Sequence, residues 1–257
     1  MFDISPEDVL KYDISEIDNS LCDIDKNTHP QLWAEKMNHK GNLLTNIGDA
    51  KAAHETLTKA SAHAQGILKL KVYLNMAKNL VFAKQYDTAL KVLDKALEYQ
   101  KTVKDPESER YLGFAHMMQG KAFTKQPDKQ RDALVAFSKS EYFLEKFNES
   151  RWHGIVCMEL GRINVAMKNM PAAIDLFKKA EQHLTKAAAV KEEKLGVTIC
   201  KAVTLWHMAK QNEASQILND VYNSIEDFGK GKYTIPDLVN VYIDMMDKDI
   251  QMQAALI

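Results

Sequence analysis

Turn-forming residues are scarce in this chain: 10 glycines and 6 prolines among 257 residues, about 6% together where average usage is roughly 12%. A β-sandwich or barrel needs a turn every ~8–12 residues, so a fold of that kind is excluded. Cysteine is equally sparse. Cys22, Cys157 and Cys200 cannot all pair, which rules out a disulfide scaffold and points to a reducing compartment. No run approaches the ~18 apolar residues of a membrane span, and the start, Met1 to Leu10, is acidic where a secretory leader is basic and then apolar. An excess of one charge sign is missing as well: 34 Lys plus Arg stand against 35 Asp plus Glu, a net charge of −1. That balance argues against a nucleic-acid binder held by charge alone. What is abundant is hydrophobic residues, 46% of the chain. The expectation is an all-α, soluble, cytoplasmic protein.

The prolines punctuate helices. Ser5-Pro6-Glu7-Asp8 offers a capping hydroxyl, a proline for the first turn and two carboxylates for the positive end of a helix. Asp105-Pro106-Glu107 and Ile235-Pro236-Asp237 are starts of the same kind, and Pro30, Pro127 and Pro171 fall between apolar-periodic segments. Proline lacks the amide proton that a helix interior requires, so these positions mark boundaries.

A string Ala-x3-Leu/Phe-x2-Ala recurs along the chain. It begins at Ala53, Ala89, Ala133, Ala173 and Ala214, with Leu57, Leu93, Phe137, Phe177 and Leu218 four positions later. The starts are 36, 44, 40 and 41 residues apart. A small residue stands twelve positions before the alanine in four copies: Gly41, Ala77, Gly161 and Ala202. In the third copy Gly120 stands thirteen before Ala133, which implies an insertion around Lys125–Asp128. Small residues at such fixed places let two antiparallel helices approach closely, with Leu or Phe filling the seam. A unit of this kind cannot bury its apolar face alone and stacks on its neighbours.

With these positions in place the pattern resembles the tetratricopeptide repeat. The first copy carries Gly41, Leu44, a Gly48-Asp49 turn, Ala53, Leu57 and Ala60; the second has Tyr73, Ala77, Leu80, Tyr86, Ala89, Leu93 and Ala96; the fourth has Leu160-Gly161, Ala173, Phe177 and Ala180. The spacing exceeds the family's usual 34 residues, as in the longer helices of kinesin light chains and peptide-sensing bacterial regulators, and the usual closing proline is missing. The resemblance implies a right-handed superhelical solenoid of about five helix pairs over residues 31–228. Residues 1–30 and 229–257 then supply terminal capping helices, with Val9, Leu10, Ile14, Ile17 and Leu21 on the inner side of the first. The apolar end, Ala254 to Ile257, offers an alternative to capping, a docking point for a homodimer.

Catalytic and metal-binding patterns fail on the residues they need. Gly113-x6-Gly120-Lys121-Ala122 is two residues too long for a phosphate loop and has alanine where a hydroxyl would hold magnesium. His54-Glu55 lacks a second histidine at residue 58, which is threonine, and no Cys-x2-Cys pair occurs. Cys157 and Cys200 read as packing residues. No catalytic residue, metal site or cofactor is expected. Met76, Met117, Met118, Met158, Met167 and Met170 cluster in the middle repeats; methionine fills core gaps and also makes adaptable binding surfaces, and most of the 12 read as core.

Charge is segregated along the chain. Residues 1–50 hold 4 basic and 10 acidic side chains, residues 51–210 hold 27 and 17, and residues 211–257 hold 3 and 8. The near-zero net charge therefore conceals acidic ends and a basic middle. In the resembled family the first helix of each repeat lines a concave groove. Its ninth positions fall here on Asn42, Lys78, Lys121, Arg162 and Val203, and its fifth positions on Asn38, Leu74, Met117, Met158 and Ile199. Asn75, Phe82, Lys125 and Trp206 occupy neighbouring groove positions. The resemblance thus implies a surface of Asn38, Asn42, Asn75, Lys78, Phe82, Lys121, Lys125, Met158, Arg162 and Trp206 for an extended, acidic protein or peptide segment, with amides for its backbone and cations for its carboxylates. Asn42, Asn75 and Lys121 resemble part of the carboxylate clamp that grips acidic chaperone tails, while Asn38 and Met117 stand where that clamp has lysines.

Three functional classes follow. The leading one is a non-catalytic scaffold that binds protein or peptide in its groove. The alternative is a peptide-sensing regulator that changes conformation and acts through a protein partner. Nucleic-acid binding is the least supported, because Phe82 and Trp206 are the chief groove aromatics and repeated base stacking needs more.

Overall fold

The computed structural model describes residues 6–189 and 191–224. They form eleven α-helices and no strand among the described residues. In chain order the helices are α1 Pro6–Cys22, α2 Pro30–Asn46, α3 Ala50–His63, α4 Gly66–Phe82, α5 Tyr86–Gln100, α6 Arg110–Thr124, α7 Gln130–Lys146, α8 Ser150–Ala166, α9 Met170–Lys186, α10 Lys191–His207 and α11 Gln211–Ser224. The expected C-terminal capping helix lies outside the described residues. The chain divides into two compact units, one up to Lys125 and one from Gln126.

In unit 1, α2 packs on α3 and α4 on α5, and the first helices α2, α4 and α6 lie side by side. Unit 2 repeats the arrangement, with α8 on α9, α10 on α11, and α8 also against α10. The repeated strings form the seams. Ala53, Leu57, Ala60, Ala89, Leu93, Ala133, Phe137, Ala173, Phe177, Ala180 and Ala214 are each 0% exposed. Opposite them, a Cβ placed on Gly41 would lie 2.5 Å from Leu57 Cγ, and one on Gly161 would lie 2.5 Å from Phe177 Cε1. Gly154 repeats the device against Leu184 at 2.8 Å. The glycines are there because nothing larger fits between these helices.

Six of the turns share one hydrogen-bond pattern. After α2, the amide of Asp49 donates to Leu44 O at 3.0 Å and that of Gly48 to Thr45 O at 3.1 Å, with Gly48 at φ +86°. This is the Schellman ending, in which a left-handed residue reverses the chain and satisfies the last carbonyls. Asp49 then caps α3, its carboxylate accepting from the Ala52 amide at 3.0 Å. The same bonds recur with Lys84, Asn148, Lys168, Ala188 and Ala209 in the left-handed position. The turn between α6 and α7 departs from this pattern. It runs for five residues, 125–129, where the corresponding turns of the other pairs have three. The inserted residue expected there lies at the boundary between the two units.

Two expectations need adjustment. Asp105 caps its own turn by accepting from the Glu107 amide at 2.9 Å, but residues 106–109 form a 3-10 turn that leads into α6 at Arg110. In α1 only Ile17 is buried; Leu10, Ile14 and Leu21 are half-buried, and Val9 is 48% exposed. The main neighbour of α1 is α2 alone, so the first turns of α1 have little to pack against.

The seam geometry fixes the sign of one substitution. An alanine is about 1 kcal/mol better than glycine in an unobstructed helix, whereas overpacking a tight core costs ~1–3 kcal/mol. Gly161→Ala is therefore expected to lower the thermal unfolding midpoint, because the buried Phe177 ring has nowhere to move.

Candidate functional site

The expected groove residues divide between the two units. Unit 1 carries Asn38 and Asn42 on α2, Asn75, Lys78 and Phe82 on α4, and Lys121 on α6. Because α2 and α4 are neighbours, their side chains meet. Asn75 Nδ2 donates to Asn38 Oδ1 at 2.9 Å. Lys78 Nζ donates to Asn42 Oδ1 at 2.9 Å and to Asn46 Oδ1 at 2.8 Å. Asn42 and Asn46 are one helical turn apart, so their carbonyls form a fork for one ammonium. The Lys78 ammonium also lies 5.9 Å above the centre of the Phe82 ring, which is 65% exposed.

The electrostatics of this patch are one-sided. Neither α4 nor α6 contains a carboxylate: α4 has Lys69, Lys71 and Lys78, and α6 has Arg110 and Lys121. Among the described residues no acidic side chain pairs with Lys78 or Lys121. Burial holds the Lys78 ammonium below its ordinary titration range, and the nearby positive charge of Lys121 lowers it further. Neutral amide oxygens can accept hydrogen bonds from such a cation, but they bring no compensating charge. The arrangement is suited to an incoming carboxylate.

The remaining expected residues are placed differently. Lys125 is exposed at the C-terminal end of α6, where a cation is favoured by the helix dipole. In unit 2, Met158 packs on the core formed by α8, α9 and α10, and Trp206 packs against Ala202, Leu218 and Ile217 at the α10–α11 seam. Arg162 Nη1 lies 3.6 Å from Glu159 Oε2 on its own helix. Of the apolar line expected along the groove, Met117 and Ile199 are buried, as is Val203 at the ninth position. They pack between helices, since first helices that touch one another turn part of that face inward.

A second polar cluster was not foreseen. In unit 2 the carboxylate of Glu141 on α7 meets His153 and Cys157 on α8, with Oε1 3.4 Å from His153 Nε2 and 3.8 Å from Cys157 Sγ. Lys179 Nζ on α9 donates to the same oxygen at 2.5 Å. The hydrogen bond from His153, with the Lys179 ammonium, holds the Glu141 carboxyl down at about 2. Burial, with the adjacent carboxylate, pushes the Cys157 thiol up to about 12. His183 on α9 stacks on His153 with ring centres 3.9 Å apart. The four-residue spacing of His153 and Cys157 was visible in the sequence. Glu141, on another helix, has no local spacing signal.

Paired helices with small-residue seams, Schellman turns and neighbouring first helices define a tetratricopeptide-type helical-repeat fold. Solved structures with this architecture match the chain closely in backbone. BtubC (BKLC) from P. vanneervenii aligns with a TM-score of 0.68 at 12% identity, over 88% of this chain and 96% of that one. A signal transduction ATPase with a tetratricopeptide repeat sensor, from Pyrococcus horikoshii, aligns at 0.64 and 16% identity, over 84% of this chain and 30% of that one. A putative kinesin light chain with TPR-like repeats, from Podosopora anserina, aligns at 0.55 and 16% identity, over 73% and 92%. No family model and no curated protein sequence matches the chain. No helix among the described residues is long and apolar enough to cross a membrane.

The patch carries a stability penalty that can be measured. A lysine whose folded-state titration is lowered binds fewer protons folded than unfolded, so stability rises with pH up to the free value of 10.5. Lys78→Met is expected to raise the thermal midpoint at neutral pH. That gain shrinks as the pH approaches 10.5, where the wild-type lysine is relieved by losing its proton.

Proposed function

We propose that the protein is a non-catalytic scaffold that binds an extended acidic segment of another protein across the first helices of unit 1. The observation that carries this reading is the pair Lys78 and Lys121, close enough to repel each other and carried on two helices without a carboxylate. A carboxylate of the bound segment enters between these ammonium groups. The amides of Asn38, Asn42 and Asn75 are within the same patch and suit a peptide backbone, which needs both donors and acceptors. The exposed face of Phe82 adds an apolar contact beside the charge. Support for a binding scaffold also comes from the fold, in which the side-by-side first helices of unit 1 offer one continuous surface to an extended ligand.

The alternative, a peptide-sensing regulator, has one structural observation in its favour. The five-residue turn at 125–129 lacks the Schellman ending of the other turns within helix pairs, at the point where the chain divides into two units. A sensor built on the same groove would use that turn as its pivot, and small-angle scattering would show a change in dimensions when an acidic peptide binds.

A panel of fluorescent peptides of ten to fifteen residues, matched in composition and differing in Glu and Asp content, tests the scaffold reading by anisotropy. Acidic members are expected to bind and neutral ones to fail, with affinity falling as salt rises. Charge-assisted hydrogen bonds contribute ~1.5–3 kcal/mol, so Lys121→Glu is expected to weaken binding by roughly 10- to 100-fold. Arg162→Glu, whose guanidinium already faces Glu159, is expected to change it less. Unchanged affinity in Lys121→Glu would remove the site from unit 1.

A further inference from the structure

The cluster of Glu141, His153 and Cys157 has no part in the proposed groove, and its chemistry points elsewhere. Two of the three side chains are sealed from solvent: His153 is 2% exposed and Cys157 0%. The i, i+4 spacing on α8 sets imidazole and thiol on one face, and α7 brings the carboxylate opposite them. One donor atom from each lies within 4.8 Å of the others. A tetrahedral ion with ligand bonds of ~2.0–2.3 Å holds its donors roughly 3.3–3.8 Å apart. The separations of 3.4 and 3.8 Å from the carboxylate oxygen are already in that range.

We infer that Glu141, His153 and Cys157 form a zinc-binding site joining α7 to α8. The donor set selects the metal: one sulfur, one imidazole and one carboxylate suit Zn²⁺, whereas Mg²⁺ and Ca²⁺ require oxygen ligands throughout. Three protein ligands leave a fourth position for water. The proton balance is explicit. The thiol of Cys157 loses its proton and forms the zinc–sulfur bond, so one proton is released per ion bound. His153, whose Nε2 proton faces Glu141 in the metal-free protein, changes tautomer so that its proton sits on Nδ1, and it binds through the freed Nε2 lone pair; Glu141 binds as the carboxylate it already is. Lys179 stabilises that carboxylate in the metal-free protein. Its side chain is 40% exposed on a flexible stem, so on metal binding the ammonium withdraws to solvent with its charge intact. The site then replaces a carboxylate–ammonium pair by a covalently anchored ion between two helices that the turn at residues 147–149 already joins.

The test uses the full chain without a purification tag, stripped with chelator and titrated with zinc chloride in calorimetry buffers of differing ionisation enthalpy. Binding of one ion with release of about one proton is expected. Substitution of Co²⁺ should give a sulfur-to-cobalt charge-transfer band together with the intense visible bands of four-coordinate cobalt. Loss of a ligand is expected to weaken binding at least as much as the 10–100-fold cost of losing a supporting residue around a metal site, in Cys157→Ser, Cys157→Ala and His153→Gln alike. Lys179→Met should bind more tightly than wild type, because no cation competes for the carboxylate. The double variant Cys22→Ser, Cys200→Ser should leave the cobalt spectrum unchanged. Absence of 1:1 binding in both wild type and Lys179→Met overturns the inference. Cobalt bound without the sulfur band, or zinc retained at full affinity in folded Cys157→Ala, overturns it equally, since adventitious surface histidines would then be the ligands.

Discussion

The distance between the two helices of a pair is the constraint on which this protein depends. At Gly41 and Gly161 there is no space for a Cβ, because Leu57 and Phe177 fill it from the facing helix. Close approach of this kind lets a short side chain and a long one interdigitate at native packing density, and it leaves both helices with an apolar face that only another pair can cover. The rest of the architecture follows. Within each unit pairs stack, first helices lie beside first helices, and side chains one turn apart on one helix meet those on the next. The Asn42–Asn46 fork around Lys78 exists because α2 and α4 lie side by side.

The patch on unit 1 illustrates how a fold confers a property that no single helix has. Lysines on separate helices of an isolated peptide would be solvated and independent. Here α4 and α6 are held side by side, carry no carboxylates, and bring Lys78 under the influence of Lys121. Stability would be better served by an acidic partner. That the free protein tolerates an uncompensated positive patch is the physical basis for the proposal that it receives a ligand. The cluster in unit 2 represents the opposite strategy. There Glu141 is met by an imidazole, a thiol and an ammonium, and its charge is fully engaged within the protein.

Much of the fold was legible in the sequence because the seams are built from a local code. Ala173, Phe177 and Ala180 lie on one face of α9 by helical periodicity, and Gly161 twelve residues earlier meets them across a short turn. Even the irregular turn before α7 was visible as one extra residue between Gly120 and Ala133. The groove was legible only in part. Position along a first helix identified Asn38, Asn42, Asn75 and Lys78 as neighbours. It could not distinguish a groove residue from one buried between adjacent first helices, and Met117, Ile199 and Val203 fell on the buried side. The same ambiguity concerns Met158 and Trp206, which pack against other helices. Glu141 escaped notice for a different reason: its partners on α8 and α9 are joined to it only by packing, and no spacing rule spans three helices.

In the proposed function, Lys78 and Lys121 form an anion receptor whose repulsion is relieved by a bound carboxylate. The most direct measurement is an NMR titration of the Lys78 ammonium in protein carrying isotopically labelled lysine, with and without a saturating acidic peptide. Lys78 is expected to titrate below an ordinary lysine in the free protein, to move upward when Lys121 is replaced by glutamine, and to move upward when the peptide binds. A Lys78 that titrates as a free lysine in all three samples would contradict this reading.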